Sequence, residues 1–318
     1  MITGGAGQDA RLLIESLSNR DIHFICASLN PSLTKTLYKN VSAHITHVPL
    51  DITDTVSFCN IIRQFKPTKI FNLAGKSSVA GSFADSSSYM EVNGHAVERV
   101  LNELHRANLL YKTRFYQASS SEIFDPFEKH ARNEQSKKAP ASPYGKSKLY
   151  SFEVCREFRE KYGYYISSGI MFNHESEYRG EDFLFGKVTR GFAKIKCGLA
   201  SNFTVGNLSA ERDWGYARDY VSAMDKIISS DHADDYVVAT GERHSVREMI
   251  EIAYGVCDFL SPISEFVIES DDLKRENDYR TLFGNPVKIE SELGWTPEHT
   301  FEEMVSRIQR AVLLKQSG

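Results

Sequence analysis

Strand-like and helix-like stretches alternate along the first half of the chain, and few folds accept that order. Apolar runs at 22–27, 44–49, 69–73 and 113–118 read as strands, while 54–64 and 86–107 carry the spacing of amphipathic helices. Repeated strand–helix–strand units build a parallel sheet covered on both faces, in which ligands bind beyond the carboxyl ends of the strands. Positions 4–7, Asp51, 74–77 and 119–122 all fall at such ends. The expected fold class is therefore α/β, a Rossmann-type doubly wound parallel sheet with a smaller, discontinuous C-terminal substrate-binding lobe.

The N-terminus strengthens this expectation. Thr3-Gly4-Gly5-Ala6-Gly7-Gln8-Asp9-Ala10 is a Gly-x-x-Gly-x-x-Ala loop leading into a helix whose Leu12, Leu13, Ile14 and Leu17 face inward. Glycines let the backbone approach a pyrophosphate, and the helix N-terminus favours its negative charge. Only Met1 and Ile2 precede the loop, so either the first strand is unusually short or the N-terminus is trimmed. The helix over 54–64 is expected to be opened by a capping pair, Asp51 and Asp54.

A second constellation carries chemistry. Residues 142–148 read Ser-Pro-Tyr-Gly-Lys-Ser-Lys, a Tyr-x-x-x-Lys spacing at the start of a helix running to about residue 162. One turn stacks Tyr144 and Lys148 on one face, where the ammonium is expected to lower the phenol's pKa. Just past the strand at 113–118, a serine can hold a substrate hydroxyl beside that phenol. Strand 165–171 follows, then helices near 187–197, 219–229, 246–256 and 301–314. We expect 1–172 to form the cofactor domain, with about 207–243 returning to it, and 173–318 to supply most of the substrate lobe.

Composition sets limits. With 38 basic and 42 acidic side chains, the formal charge of −4 implies no general attraction to nucleic acid or membrane. The five cysteines, Cys26, Cys59, Cys155, Cys197 and Cys257, are scattered without a Cys-x-x-Cys pair, as in a reduced cytoplasmic protein. No apolar run is long enough to span a bilayer. His44 and His47 lie three apart in a strand-like stretch, which sends them to opposite faces, and no metal site is expected.

At this point the sequence resembles the extended short-chain dehydrogenase/reductase superfamily, and within it the GDP-mannose 4,6-dehydratase family. The matching stretches span nearly the whole chain: Gly4 to Asp9, 115–122, 142–145, Asn173-His174-Glu175-Ser176, Arg212-Asp213-Trp214-Gly215, 219–221, 238–241, 284–286 and 293–297. The resemblance implies four catalytic residues. Tyr144 takes the C4 hydroxyl proton, Lys148 supports the phenolate, Ser120 replaces the usual threonine, and Glu122 removes the C5 proton and helps water leave C6. It implies NADP, with NAD as the alternative, held by Gly4, Gly7, Gln8, Asp9, Ser28, Asp51, Ile52, Leu73, Ala74 and Ser77 together with Tyr144 and Lys148. It also implies a nucleotide-sugar substrate, GDP-mannose, held by Ser78, Asn173, Lys187, Arg212, Arg275 and Asp278, with His174 and Glu175 as scaffold. Family members commonly form a homodimer through the helices after Ser82 and Tyr144, with a homotetramer as the alternative.

The chain departs from the pattern in four places. Gly75-Lys76-Ser77 replaces Ala-Gln-Ser, setting a cation near the cleft, and Phe185-Gly186 replaces Thr-Arg. Arg275 is followed by Glu276-Asn277 where the family has a proline, and Ala27-Ser28 stands where it has an Arg-Arg pair. Competing readings are a 4,6-dehydratase or 4-epimerase on another nucleotide sugar, and a silent nucleotide-binding regulator. An epimerase needs Tyr144 and Lys148 but not Glu122, and silent relatives usually lose the tyrosine or the lysine.

Overall fold

Buried β-branched and aromatic runs pair in parallel throughout the main sheet of the computed structural model, which describes residues 1–273 and 282–317. In chain order the elements begin with β1 (Ile2–Thr3), α1 (Gln8–Leu17), β2 (His23–Ser28), α2 (Pro31–Leu37), β3 (His44–Pro49), α3 (Thr55–Phe65) and β4 (Lys69–Asn72). There follow α4 (Gly81–Ala84), α5 (Ser86–Met90), α6 (Ala96–Arg106), β5 (Arg114–Ser120), α7 (Pro143–Tyr162) and β6 (Ile166–Met171). The second half holds β7 (Asn173–Glu175), α8 (Leu184–Lys196), β8 (Phe203–Val205), β9 (Glu211–Arg212), β10 (Trp214–Tyr216), α9 (Ala217–Ser229) and β11 (Asp235–Val238). It closes with β12 (His244–Ser245), α10 (Val246–Gly255), β13 (Val267–Glu269), α11 (Val287–Leu293) and α12 (Phe301–Ser317).

The main sheet has seven strands in the order β11-β6-β5-β4-β1-β2-β3. Every pairing in it is parallel. The chain runs outward from β1 through β2 to β3, then crosses back to lay β4 on the other side of β1. That reversal opens a crevice beyond the carboxyl ends of β1 and β4, where doubly wound sheets bind ligands. The first strand holds two residues: Ile2 sits between Cys26 and Phe71, and Thr3 between Ala27 and Asn72. Two apolar layers cover the sheet, one including Leu12, Leu13, Tyr220 and Met224, the other Phe58, Val97, Phe115 and Ile166.

Local signals set most boundaries. Ser142 accepts from the Gly145 N–H at 3.0 Å and Pro143 fills the first helical position, so α7 starts where the sequence places it. Asp54 alone caps α3, accepting from the Ser57 N–H at 3.0 Å. Asp51 instead closes a turn on Thr53, whose N–H donates to it at 2.9 Å, which corrects the expected capping pair. The helix expected over 86–107 is α5 and α6 joined by a π-helical turn, Glu91–His95. The short helices α2 and α11 lie in stretches where no helix was expected.

A third core lies apart from the sheet, built from Phe185, Phe192, Val205, Trp214, Met249, Met304 and Ile308 among others. The pairs β7–β10, β9–β12 and β8–β13 belong to this half. Its chain path returns to the sheet to supply β11, which pairs with β6, and again in α11, whose Ile289 joins the sheet-side core. His44 stacks on His23 at 4.0 Å between ring centroids, whereas His47 bonds the Thr34 hydroxyl at 2.8 Å, so the two point to opposite faces. Among the described residues no helix is long and apolar enough to cross a membrane.

Candidate active site

The glycine loop turns sharply because Gly4 has φ +68°, and a Cβ there would meet the Ala74 backbone at 2.9 Å. Only glycine lets the loop lie so close to the end of β4. Thr3 completes the junction: its hydroxyl donates to Asn72 Oδ1 at 2.8 Å and accepts from the Leu73 and Ala74 N–H groups at 3.1 and 3.0 Å. Gly7 precedes α1 in extended conformation and offers no side-chain cap, leaving first-turn amides for a ligand.

The side chains of Gln8 and Asp9 turn the other way, toward β7. Gln8 donates to the His174 carbonyl at 3.1 Å and accepts from Ser176 at 2.7 Å, and Asp9 lies 3.1 Å from His174 Nε2. Arg179 closes the group, donating to Glu175 at 2.6 Å and to the His174 carbonyl. Burial alone would lower His174 and raise Asp9. The charge and hydrogen bond each gives the other prevail, so His174 titrates above its ordinary value and Asp9 well below.

The carboxyl end of β5 brings the chemistry together. Ser120 and Tyr144 are both buried, and the serine hydroxyl is near enough to ease ionisation of the phenol. Lys148 donates to the Ala118 carbonyl at 2.9 Å, and its Nζ is 6.0 Å from the Tyr144 ring centroid. Glu122 sits in a short 3-10 turn, Ser121–Ile123, its N–H donating to Ser120 Oγ at 3.3 Å. Gly145 makes this possible, since a Cβ there would stand 2.3 Å from the Glu122 carbonyl oxygen.

Protonation here differs from the expectation. Burial pushes Tyr144 up to about 12, partly offset by the nearby Ser120 hydroxyl and reinforced by the Glu122 charge. Lys148 falls to about 8, again through burial, with Asp9 opposing. Thus the lysine does not lower the phenol's pKa below its ordinary value in this chain; desolvation outweighs it.

Several further residues line the site. Asn93 sits in the π turn, donates to the Lys76 carbonyl at 2.9 Å and to Ser147 at 3.1 Å, and accepts from the Lys76 N–H at 2.9 Å. Asn93-Gly94, a polar residue and a glycine inside an otherwise periodic helix, marks the spot. The Lys76 ammonium is held by Asp85 at 3.1 Å and lies 5.3 Å above the Tyr89 ring, whose edge meets Tyr144. Tyr89 and Arg179 give no such pattern in sequence.

The remaining expected positions spread around this centre. Ser28 ends β2, and its buried hydroxyl has no hydrogen-bond partner among the described residues. Ile52 is buried beside exposed Asp51, Ser77 is exposed, and Ser78 accepts from the Gly81 N–H at 3.0 Å. Asn173 pairs with Trp214, while Arg212 donates to the Glu211 carbonyl at 2.7 Å and bridges Leu282. Lys187 is half-buried in the first turn of α8. Arg275 and Asp278 lie outside the described residues.

The family model described as GDP-mannose 4,6 dehydratase matches residues 1–308. The chain belongs to that family. A relative named GDP-mannose 4,6 dehydratase from Cricetulus griseus is 36% identical over 98% of this chain and 90% of its own length. Among solved structures, UDP-glucose 4-epimerase from Thermotoga maritima with UDP-glucose superposes with a TM-score of 0.85 at 19% identity, covering 99% and 98% of the two chains. RMD from Pseudomonas aeruginosa complexed with NADPH does so with a TM-score of 0.81 at 20% identity and the same coverage. These two share the doubly wound fold.

Proposed function

We propose that this family member is a nucleotide-sugar 4,6-dehydratase that converts GDP-mannose to GDP-4-keto-6-deoxymannose with NADP. The observation that carries the reading is the grouping at the end of β5. A serine hydroxyl beside a buried tyrosine and a buried lysine share the site with a carboxylate whose charge is felt by the phenol. An epimerase has no use for that carboxylate. The GDP-mannose substrate rests on the family and on the names of its members.

The residues fit a nicotinamide dinucleotide. Gly4 and Gly7 leave room for a pyrophosphate against α1, and the Ser28 hydroxyl, without a hydrogen-bond partner among the described residues, would bond a ribose or phosphate oxygen. Bound there with help from Ala74 and Ser77, the nicotinamide supplies a reversible hydride store, drawn from C4 and returned at C6. Tyr144 accepts the C4 hydroxyl proton while Ser120 holds that oxygen, and Lys148, still cationic at neutral pH, favours the phenolate. Glu122 then removes the C5 proton, made acidic by the C4 ketone, and passes it to the hydroxide leaving C6. Tyr144 returns its proton to C5. The sugar loses one water with no net redox change.

For the 2′-phosphate, β2 ends in Ala27-Ser28 with no carboxylate to repel it, and Lys35 follows on α2. NADP is therefore favoured over NAD by a narrow margin. Arg212, Lys187 and Asn173 take the diphosphate and sugar; Arg275 and Asp278 are assigned to the same group by family resemblance alone. We also propose that residues 1–172 form the cofactor domain and that, of the expected return over about 207–243, α9 and β11 belong to it. The α5–α6 and α7 helices are proposed to build a homodimer, whose test is the mass in solution. A cytoplasmic location accords with five unpaired cysteines. The deciding assay incubates the protein with GDP-mannose and NADP. The expected product has lost one water and gained a carbonyl, and absence of turnover by cofactor-loaded protein overturns the reading.

A further inference from the structure

The segment joining Glu122 to Tyr144 is closed by a side chain that no step above uses. Phe124 bridges Lys138 antiparallel, and the Asp125 N–H donates to the Lys137 carbonyl at 3.0 Å, so residues 124–138 form a hairpin. Arg132 fills its closed end and is 0% exposed. Its Nε and Nη2 donate to the Asp125 carbonyl at 3.3 and 3.1 Å, Nη2 also to the Glu128 carbonyl at 2.5 Å, and Nη1 to the His130 carbonyl. Burying a charge is costly unless its donors are met, and here the hairpin's own backbone meets them. A planar fork bonded to three carbonyls fixes the path of the loop in a way that a flexible ammonium cannot.

The backbone of the same residue grips a second segment. The Arg132 N–H donates to the Phe283 carbonyl at 2.9 Å, and the Asn285 N–H donates to the Arg132 carbonyl at 2.7 Å. That strap is also held from the substrate side. Asp213, fully buried, accepts from the Gly284 N–H at 3.1 Å and from the Gly241 N–H at 3.0 Å, and Arg212 bridges Leu282. One short strap therefore joins the hairpin that follows Glu122 to the strand that carries Arg212.

We infer that Arg132 is a positioning residue for Glu122, tying the hairpin to the strap so that the carboxylate stays in register with a substrate anchored at Arg212. The inference rests on the elimination role given to Glu122 above. Ser120, Tyr144 and Lys148 do not depend on the hairpin in the same way. They stand on β5 and α7, α7 has its own cap at Ser142, and Lys148 is anchored on Ala118. Loosening the knot therefore separates the two halves of the reaction: C4 oxidation proceeds and elimination lags.

The test mixes GDP-mannose rapidly with Arg132→Lys holoenzyme, following reduced cofactor by its near-ultraviolet absorbance alongside product formation. Elimination is expected to slow roughly 10- to 100-fold, the scale of a small misplacement, while C4 oxidation stays within about twofold, so that reduced cofactor accumulates. Gly284→Ala acts on the strap itself, since its Cβ would stand 2.3 Å from the Ala239 Cβ, and it should give the same split should the lysine variant fail to fold. A uniform slowing of both steps, or no change, in the folded variants overturns the inference. Glu122→Gln run in parallel separates the causes. If it forms product at the normal rate, the elimination role of Glu122 fails and this inference with it. If it accumulates reduced cofactor and the other two variants do not, the positioning role alone is wrong.

Discussion

Tyr144 and Lys148 lie within one buried site, and desolvation drives each toward its neutral form. Removing the phenol oxygen in Tyr144→Phe keeps the ring against Tyr89 and deletes the proton acceptor. Turnover should drop by about 10²–10⁴-fold with the dissociation constant for substrate little changed, as steady-state and binding measurements together can establish. Lys148 gives a pH signature in the cofactor-free protein. Its folded value, about 8, lies below its ordinary 10.5, so the folded state binds fewer protons between those values. Stability should thus rise across pH 8–10.5 by about 1.4 kcal/mol per unit, relative to a Lys148→Met variant that lacks the group. Denaturant midpoints of the two proteins at the ends of that window check it; a constant difference refutes it. Spacing alone located these side chains, because a Tyr-x-x-x-Lys register is a property of one helix. Their protonation was not legible, since it depends on how β5, α7 and the glycine loop together exclude water.

Among elements, the turn at Glu91–His95 supports the site through one side chain. Asn93 makes three bonds there to Lys76 and Ser147, holding the loop after β4 against α7. Asn93→Ala leaves buried partners unmet and should cost about 1–3 kcal/mol, read as a lower denaturant midpoint with unchanged slope. Periodicity reveals helices that bury a stripe, and so α1, α3, α7, α9 and α10 were legible in the sequence. It fails for α2, which buries only Thr34, although Asn30 as cap and Pro31 at the first position both mark its start. The π turn escaped for a related reason: one extra residue per turn leaves the apolar stripe almost intact.

At the scale of the whole molecule, distant parts of the chain meet at the site. Arg212→Ala should weaken GDP-mannose binding by about 2–4 kcal/mol, the loss on removing one partner of a largely desolvated charge pair, and calorimetry measures it. Titration of stripped protein should show NADP binding more tightly than NAD; the reverse order refutes the reading of Ser28 and Lys35. The parallel sheet was legible from alternation. The latch between Gln8, Asp9 and the Asn173–Ser176 stretch was not, because residues some 165 positions apart leave no local trace.

The last strand of the sheet has a consequence for synthesis. As the polypeptide leaves the ribosome, β6 has a partner on one side only until Asp235–Val238 emerges, some sixty residues later. Arg159 on α7 then clasps Asp235 with bonds of 2.9 and 2.7 Å. Until that moment the nascent chain presents an open, wholly buried-type edge, the kind that pairs with neighbouring chains. A fragment ending after residue 172 should consequently emerge from expression as aggregate, while one extended through residue 243 should be markedly more soluble.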